Sequence, residues 1–214
     1  MMIKKTVRFL CALLLSLQSA QSIALEDPVQ MLQQVTQTVM TKINADASHL
    51  KKHPNELYAI VDTTVFPHVD FVEMARWVVG RNAWRDASES VRQSFIKEFK
   101  TLVVRSYAHS LLEYVDYTFE FLPLRTDPQT QKRLEVLSKA KGDGRILNME
   151  YRLVRDNDAW KVYDIIFESV SLIQGYRAQF AEDIQRNGVE AVVETLHKKN
   201  ERAHHASEPV KQDA

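Results

Sequence analysis

The chain has 214 residues and balances 28 basic against 28 acidic residues, with five glycines and one cysteine. This balance argues against a nucleic-acid partner, because nucleic-acid-binding proteins carry a basic excess gathered on one face. The glycines are scattered, which excludes a glycine-rich phosphate loop and the nucleotide chemistry that depends on one.

Residues 1–24 have the layout of a secretory signal peptide. Basic residues precede an apolar run over residues 9–17, and Ser22 and Ala24 occupy the −3 and −1 positions of a cleavage site. The run is too short to cross a bilayer core, which needs about 20 apolar residues. Cys11 lies inside it. We therefore predict an exported, soluble mature chain that contains no disulfide and no cysteine metal site.

Helical spacing dominates the first half of the mature chain. Apolar residues recur at this spacing over 28–43, and a second helix is predicted over 54–65. A short third helix is expected to begin at Asp70 and end at Gly80. Ser88 is placed to cap the longest helix.

The period then changes to two. Apolar and polar residues alternate over 115–121 and again over 145–155, which is typical of strands with one buried face. A weaker strand over 133–141 lies between them. Two helices, about 172–186 and 189–199, follow the last strand. Helices, an antiparallel meander and further helices together indicate an α+β domain over residues 25–199.

Residues 200–214 are polar and are predicted to be a disordered tail.

The histidines are the first place to look for a metal site. His49 and His53 are four residues apart, a spacing that can bind a metal ion on a helix. However, Pro54 follows directly and the stretch 45–56 has the composition of a loop. No glutamate completes a zinc-protease helix motif. We therefore predict no metal site and no cofactor.

Asp164 interrupts an apolar stretch and is the candidate for a general acid or base. A buried carboxylate normally persists only when it is paired, which favours bonds to backbone amides or to an arginine such as Arg177. The alternative remains open: an enzyme acting on a hydrophobic small molecule, with Asp164 as its base. A third interpretation is a periplasmic adaptor whose core is filled.

The C-terminal sequence carries a family resemblance. "WKVYDIIFESVSLIQGYRAQF" (160–180), followed by "NGVEAVVETLHKKN" (187–200), resembles the signature of the periplasmic phospholipid-binding proteins of the Mla pathway. These form the MlaC, or toluene-tolerance auxiliary, family. Residues 71–114 are similar to the family's central region. Ser169 departs from the pattern, since the family usually has glycine at this position.

The resemblance implies an NTF2-like fold, in which N-terminal and C-terminal helices pack with a curved antiparallel sheet around an apolar cavity. Its cargo would be a phospholipid held by the acyl chains. The resemblance also implies shuttling between an outer-membrane lipoprotein complex and an inner-membrane ABC transporter complex with its lipid-transfer subunit. Such transport supports outer-membrane lipid asymmetry. We expect a periplasmic monomer without enzymatic activity.

Ten residues are candidates for contact with the lipid. Helical phase and strand alternation assign six of them to the cavity wall: Val103, Tyr107, Leu111, Leu147, Met149 and Tyr151. The family signature places the other four near the mouth: Phe167, Val170, Leu172 and Tyr176.

Overall fold

The computed structural model describes residues 26–206, so the predicted signal peptide and residues 207–214 lie outside the described part. The α-helices are α1 (Pro28–Ala45), α2 (Ala47–Leu50), α3 (Pro54–Thr64), α4 (Phe71–Val79), α5 (Arg81–Asp86), α6 (Glu89–Tyr107) and α7 (Leu172–Ala206). The strands are β1 (Thr118–Phe121), β2 (Arg133–Gly142), β3 (Arg145–Asp156), β4 (Ala159–Phe167) and β5 (Val170–Ser171). Short 3-10 turns cover Phe66–His68, Ala108–Tyr114 and Pro128–Thr130.

Side-chain caps set where three of the helices begin. Asp27, Asp70 and Ser88 accept hydrogen bonds from first-turn backbone N–H groups of α1, α4 and α6, at 2.8, 2.8 and 3.3 Å. Each bond satisfies an N–H group that has no partner inside its helix. The predicted starts of these helices are therefore confirmed.

The five strands form one antiparallel sheet in the order β1-β2-β3-β4-β5, so every strand pairs with its neighbour in sequence. The predicted α+β fold with a curved antiparallel sheet is confirmed. The β3–β4 register shifts between Arg152 and Leu153, which leaves Tyr163 without a directly opposed residue. Such a bulge bends the strand and redirects the residues that follow it.

Three hydrophobic clusters hold the layers together. One lies between α1 and the inner face of the sheet, the face that carries Leu134, Val136, Tyr151 and Leu153. The second joins α4, α6 and α7, and the third joins α1 and α3 to the 3-10 turn after α6. Helix α6 contributes to the second and third clusters, so it lies at the junction between them.

The predicted break between the two C-terminal helices is confirmed. Gly188 has φ 81° and ψ 173°, a conformation outside the helical region that kinks α7. The predicted start of a disordered tail at residue 200 is wrong, because α7 continues to Ala206. Asn200 is buried and donates to the backbone oxygen of Glu98 at 3.0 Å, which docks this part of α7 against α6.

No helix within residues 26–206 is long and apolar enough to cross a membrane.

The turn between β4 and β5 consists of Glu168 and Ser169, with φ of 45° and 68°. Positive φ at both central residues is the geometry of a tight two-residue hairpin, which glycine adopts most readily. The position where the family usually has glycine therefore keeps a left-handed backbone here, although serine carries a Cβ atom.

We expect Ser169→Gly to raise the free energy of unfolding by about 0.5–1 kcal/mol. Glycine removes a left-handed penalty of about 1–2 kcal/mol but loses more backbone entropy on folding. Urea unfolding measures the change. Ser169→Ala is the matched control, because alanine keeps the Cβ atom and should give no gain. An equal gain for both variants would show that the hydroxyl group, and not the backbone, is responsible.

Glu73 ties α4 to the sheet. Its buried carboxylate accepts hydrogen bonds from Trp77 Nε1 and Arg76 Nη1, both at 3.0 Å, and from the guanidinium of Arg133 in β2. Burial alone would raise the pKa of Glu73. The hydrogen bonds from Arg133 and Trp77 outweigh burial and hold the pKa below its usual value.

We expect Glu73→Gln to lower the free energy of unfolding at neutral pH by about 1–2 kcal/mol, because a neutral amide forms weaker bonds to the arginines. The stabilisation by the carboxylate is complete above the unfolded-state pKa of about 4.3 and is lost as pH falls through the lower folded-state pKa. Urea unfolding of both proteins down to about pH 3 should therefore show the difference shrinking. A constant difference would contradict the assignment to the ionised form.

Candidate functional site

Side chains on the inner face of the sheet become less buried from one end of the strands to the other. Along β3, Leu153 and Tyr151 are buried, whereas Met149 and Leu147 are only half-buried. Along the neighbouring β4, burial at Trp160 and Val162 gives way to a half-buried Ile165 and then to Phe167, which is 37% exposed. Because the strands are antiparallel and Met149 pairs with Phe167, both gradients point to the same end.

Helix α6 shows the same change. Phe95 and Phe99 are fully buried, Val103 is half-buried, and Tyr107 at the last position is 47% exposed. The helix lies at the junction of two hydrophobic clusters, with Val103 packed against one and Leu111 in the following turn packed against the other. Apolar side chains therefore become exposed at the C-terminal end of α6, and we call this region the open end.

Aromatic residues surround this open end. The ring centroids of Tyr107 and Tyr176 are 6.4 Å apart and those of Tyr114 and Phe167 are also 6.4 Å apart, both edge to face. Val170 lies opposite Phe167 in the β4–β5 hairpin and is 68% exposed. We call Tyr107, Tyr114, Phe167, Val170 and Tyr176 the apolar rim.

The tyrosines near the open end have apolar surroundings. Burial raises the pKa of Tyr176 to about 12 and, with its phenol beside Tyr107, keeps it neutral at physiological pH. Burial also raises the pKa of the Tyr151 phenol on the inner face of the sheet. A site with such walls suits an apolar ligand better than a charged one.

A separate cleft of about 530 Å³ lies between α4, β4 and the first turns of α7. Its wall includes Trp77, Arg152, Tyr163 and Arg177, and none of the ten predicted lipid-contact residues. This cleft is therefore distinct from the open end and its apolar rim.

The described residues match one protein family over most of their length. The model of the family described as MlaC protein matches residues 33–198. The chain belongs to the MlaC family. Its expected family membership is thereby confirmed.

Curated relatives of this MlaC-family chain include two proteins of similar length. It is 27% identical over 168 residues to the toluene tolerance protein ttg2D of Pseudomonas putida, covering 78% of this chain and 77% of that protein. It is 22% identical over 189 residues to the intermembrane phospholipid transport system binding protein MlaC of Haemophilus influenzae, covering 80% and 81%.

A solved structure of similar fold contains a lipid. The phospholipid-binding protein of Ralstonia solanacearum, determined in complex with a phospholipid, superposes with a TM-score of 0.75 at 26% identity. The match covers 83% of this chain and 98% of that one.

Within the MlaC-family chain, the ten predicted residues divide by their surroundings. Tyr107, Phe167 and Val170 are exposed at the rim. Tyr176, also a rim residue, is buried in the α4–α6–α7 cluster. The others are buried or half-buried: Val103 and Leu172 in the α4–α6–α7 cluster, Met149 and Tyr151 in the α1–sheet cluster, Leu111 in the α1–α3 cluster, and Leu147 on β3. They are thus distributed over all three clusters and the rim.

Sequence reasoning missed further apolar residues at the open end. They are half-buried and come from the 3-10 turn and the residue after it, from β1 and from β4: Leu112, Tyr114, Val115, Phe119 and Ile165. The 3-10 turn follows neither the helical period nor the strand period, so periodicity could not assign its faces.

Asp164 is fully buried and fully hydrogen-bonded. Its Oδ2 accepts from Ser171 Oγ at 2.7 Å and from Arg152 Nη1 at 3.3 Å, and its Oδ1 accepts from Ile173 N at 3.2 Å. Ser171 Oγ in turn accepts from Gln174 N at 3.2 Å, which caps the start of α7. One carboxylate therefore joins β3, β4 and α7.

These contacts support the structural interpretation of Asp164. The arginine that pairs with it is Arg152, so the expected partner Arg177 is wrong. A general base needs a free lone pair that faces its substrate. Both Asp164 oxygens are already occupied, and the residue does not line the 530 Å³ cleft.

We expect Asp164→Asn to lower the free energy of unfolding by about 2–3 kcal/mol, because an amide cannot accept all three bonds that the buried carboxylate accepts. Urea unfolding measures the loss. Asp116→Asn, at an exposed carboxylate, is the matched control and should leave stability unchanged. Wild-type stability of Asp164→Asn would contradict the anchoring role.

Proposed function

We propose that this chain is a periplasmic phospholipid carrier that encloses the acyl chains of its cargo between α6, α7 and the inner face of the sheet. The observation that carries the proposal is the shared loss of burial along β3, β4 and α6, which leaves apolar and aromatic side chains exposed at the open end. The relatives support the same function, since one is named as a phospholipid transport binding protein and another was solved with a phospholipid.

The energetics of transfer set a strict requirement for such a carrier. Burial of one methylene is worth about 0.8 kcal/mol, so roughly 30 chain methylenes represent more than 20 kcal/mol. A bilayer already supplies this burial. A carrier can therefore extract a lipid only if it shields both chains along most of their length.

The arrangement of the three clusters offers a way to meet this requirement. Two of them meet at α6, and the side chains there that border the open end are half-buried apolar groups rather than paired polar ones. Separating such surfaces breaks no hydrogen bond, and acyl chains can replace the contacts that are lost. Val103, Leu111, Leu147, Met149 and Tyr151 would then form the wall.

The apolar rim would hold the part of the lipid nearest the headgroup. Tyrosine is suited to this position because its ring is apolar and its hydroxyl can contact water. Tyr107, Phe167, Val170, Leu172 and Tyr176 lie where the chains would leave the protein. The headgroup itself would remain in water.

Membership of the MlaC family supports a proposal for the cellular role. We propose that the chain is exported by its signal peptide and carries lipid as a monomer between an outer-membrane lipoprotein complex and an inner-membrane ABC transporter complex. Loading and release would then contribute to outer-membrane lipid asymmetry. No catalytic residue is needed for this exchange.

Organic extraction of the purified protein, followed by mass spectrometry, tests the proposal. We expect phospholipid in near-stoichiometric amount from the wild type. Leu147→Asp and Val170→Asp should each reduce it roughly tenfold or more, because a charge against an acyl chain costs over about 1.4 kcal/mol. Both variants should remain folded by circular dichroism.

Ile146→Asp is the matched control. Ile146 lies beside Leu147 in β3 but on the opposite face, and it is 59% exposed. Its lipid content should equal that of the wild type. Unchanged lipid in both test variants would refute the site, and absence of lipid from the wild type would favour an adaptor with a filled core.

A further inference from the structure

The α2–α3 region brings two histidines and a glutamate together on the surface. The loop expected over residues 45–56 is contradicted at residues 47–50, which are helical, whereas α3 begins at Pro54, where the second helix was predicted to begin. One ligand atom from each of His49, His53 and Glu56 lies within 4.8 Å of the other two. None of these residues lies in an element that contributes to the apolar rim.

The backbone explains why the two imidazoles face the same way. The N–H of His53 donates to the carbonyl of His49 at 3.0 Å, a helical i to i+4 bond that keeps the spacing of one helix face across the break. The rings stack with centroids 3.8 Å apart and planes 16° apart. The two imidazoles therefore lie against each other on the same side of the chain.

A hydrogen bond to the backbone determines which nitrogen of the neutral His53 ring keeps a lone pair. Nδ1 of His53 lies 3.0 Å from the carbonyl oxygen of His49, and a carbonyl can only accept, so Nδ1 carries the proton. Nε2 then keeps its lone pair. Histidines that bind metals typically donate their second nitrogen to a carbonyl or carboxylate in this way.

Glu56 supplies the third ligand. Its two carboxylate oxygens lie 3.1 and 3.0 Å from Nε2 of His49. Ligand atoms in a tetrahedral zinc site are roughly 3.3 Å apart, given Zn–N and Zn–O distances of about 2.0–2.2 Å. The His49–Glu56 distance is already near this value, and a small rotation of the exposed His53 ring would bring its Nε2 closer.

The scaffold beneath the group is firmly packed. Leu50 and Leu57, which flank the break, are buried in the α1–α3 cluster. Asp46 caps α2 by accepting from the N–H of His49 at 3.3 Å. The ligand-bearing backbone is thus held from below while the ligating atoms face solvent.

We propose that His49, His53 and Glu56 form a site for a borderline divalent cation, zinc in particular. Two imidazoles and one carboxylate match the ligand preference of Zn²⁺ and leave one tetrahedral position for water or for a ligand from another molecule.

Calorimetric titration of the chelator-treated, tag-free mature chain with Zn²⁺ tests this site. We expect one ion per chain with a micromolar dissociation constant. His49→Ala and His53→Ala should each weaken binding about tenfold or more, and Glu56→Gln should weaken it with both imidazoles intact. All three change exposed or half-exposed side chains, so urea unfolding should be little affected.

The matched control is the double variant His204→Ala/His205→Ala, which removes the chain's other closely spaced histidines. It should bind zinc like the wild type. Wild-type affinity in His49→Ala, or loss of binding only in His204→Ala/His205→Ala, would overturn the assignment. Phospholipid content should not change in any of these variants, so failure of the zinc site and failure of the carrier proposal are distinguishable.

Discussion

The carboxylate of Asp164 is the contact on which the geometry of the open end depends. It is buried near the C-terminal end of β4. It binds the side chain of Ser171, the backbone of Ile173 and the guanidinium of Arg152. A charge in this position is tolerated because each partner is a donor. The direction of α7 relative to the sheet is thereby set within a few residues of the hairpin.

That constraint explains how the structure can remain open without losing its order. The hairpin and the start of α7 are held by polar contacts, whereas the space beside them is bounded by half-buried apolar side chains. Apolar contacts are non-directional, so these walls can move apart without leaving an unpaired polar group. Hydrogen bonds therefore fix the hairpin and the start of α7, whereas only non-directional apolar contacts border the space beside them.

Much of the fold could be predicted from the sequence because its determinants are local. Alternation along β3 identified the inner face, Asp70 and Ser88 marked helix starts, and Gly188 marked the kink. The candidate wall residues on α6 and β3 came from the same two periods. The assignment of the residues near the mouth depended on the family signature. A two-residue strand is too short to show an alternation of apolar and polar residues.

The features that escaped prediction depend on contacts between distant residues. The pairing of Asp164 with Arg152 follows a β-bulge, which no local pattern announces. Asn200 looked like part of a polar tail, yet its partner Glu98 is 102 residues away. Glu56 reaches His49 across a helix break that composition alone reads as a loop.

The short outer strands of the sheet reduce the tendency of this protein to aggregate through its sheet edges. A protein that opens an apolar interior to water is exposed to self-association, and long unpaired sheet edges would add a second route to it. Here β1 has four residues and β5 has two, and Val69 and the N–H of Asp70 occupy part of the free edge of β4 at Val162. These contacts shorten the sheet edges that another chain could pair with, which limits edge-to-edge aggregation.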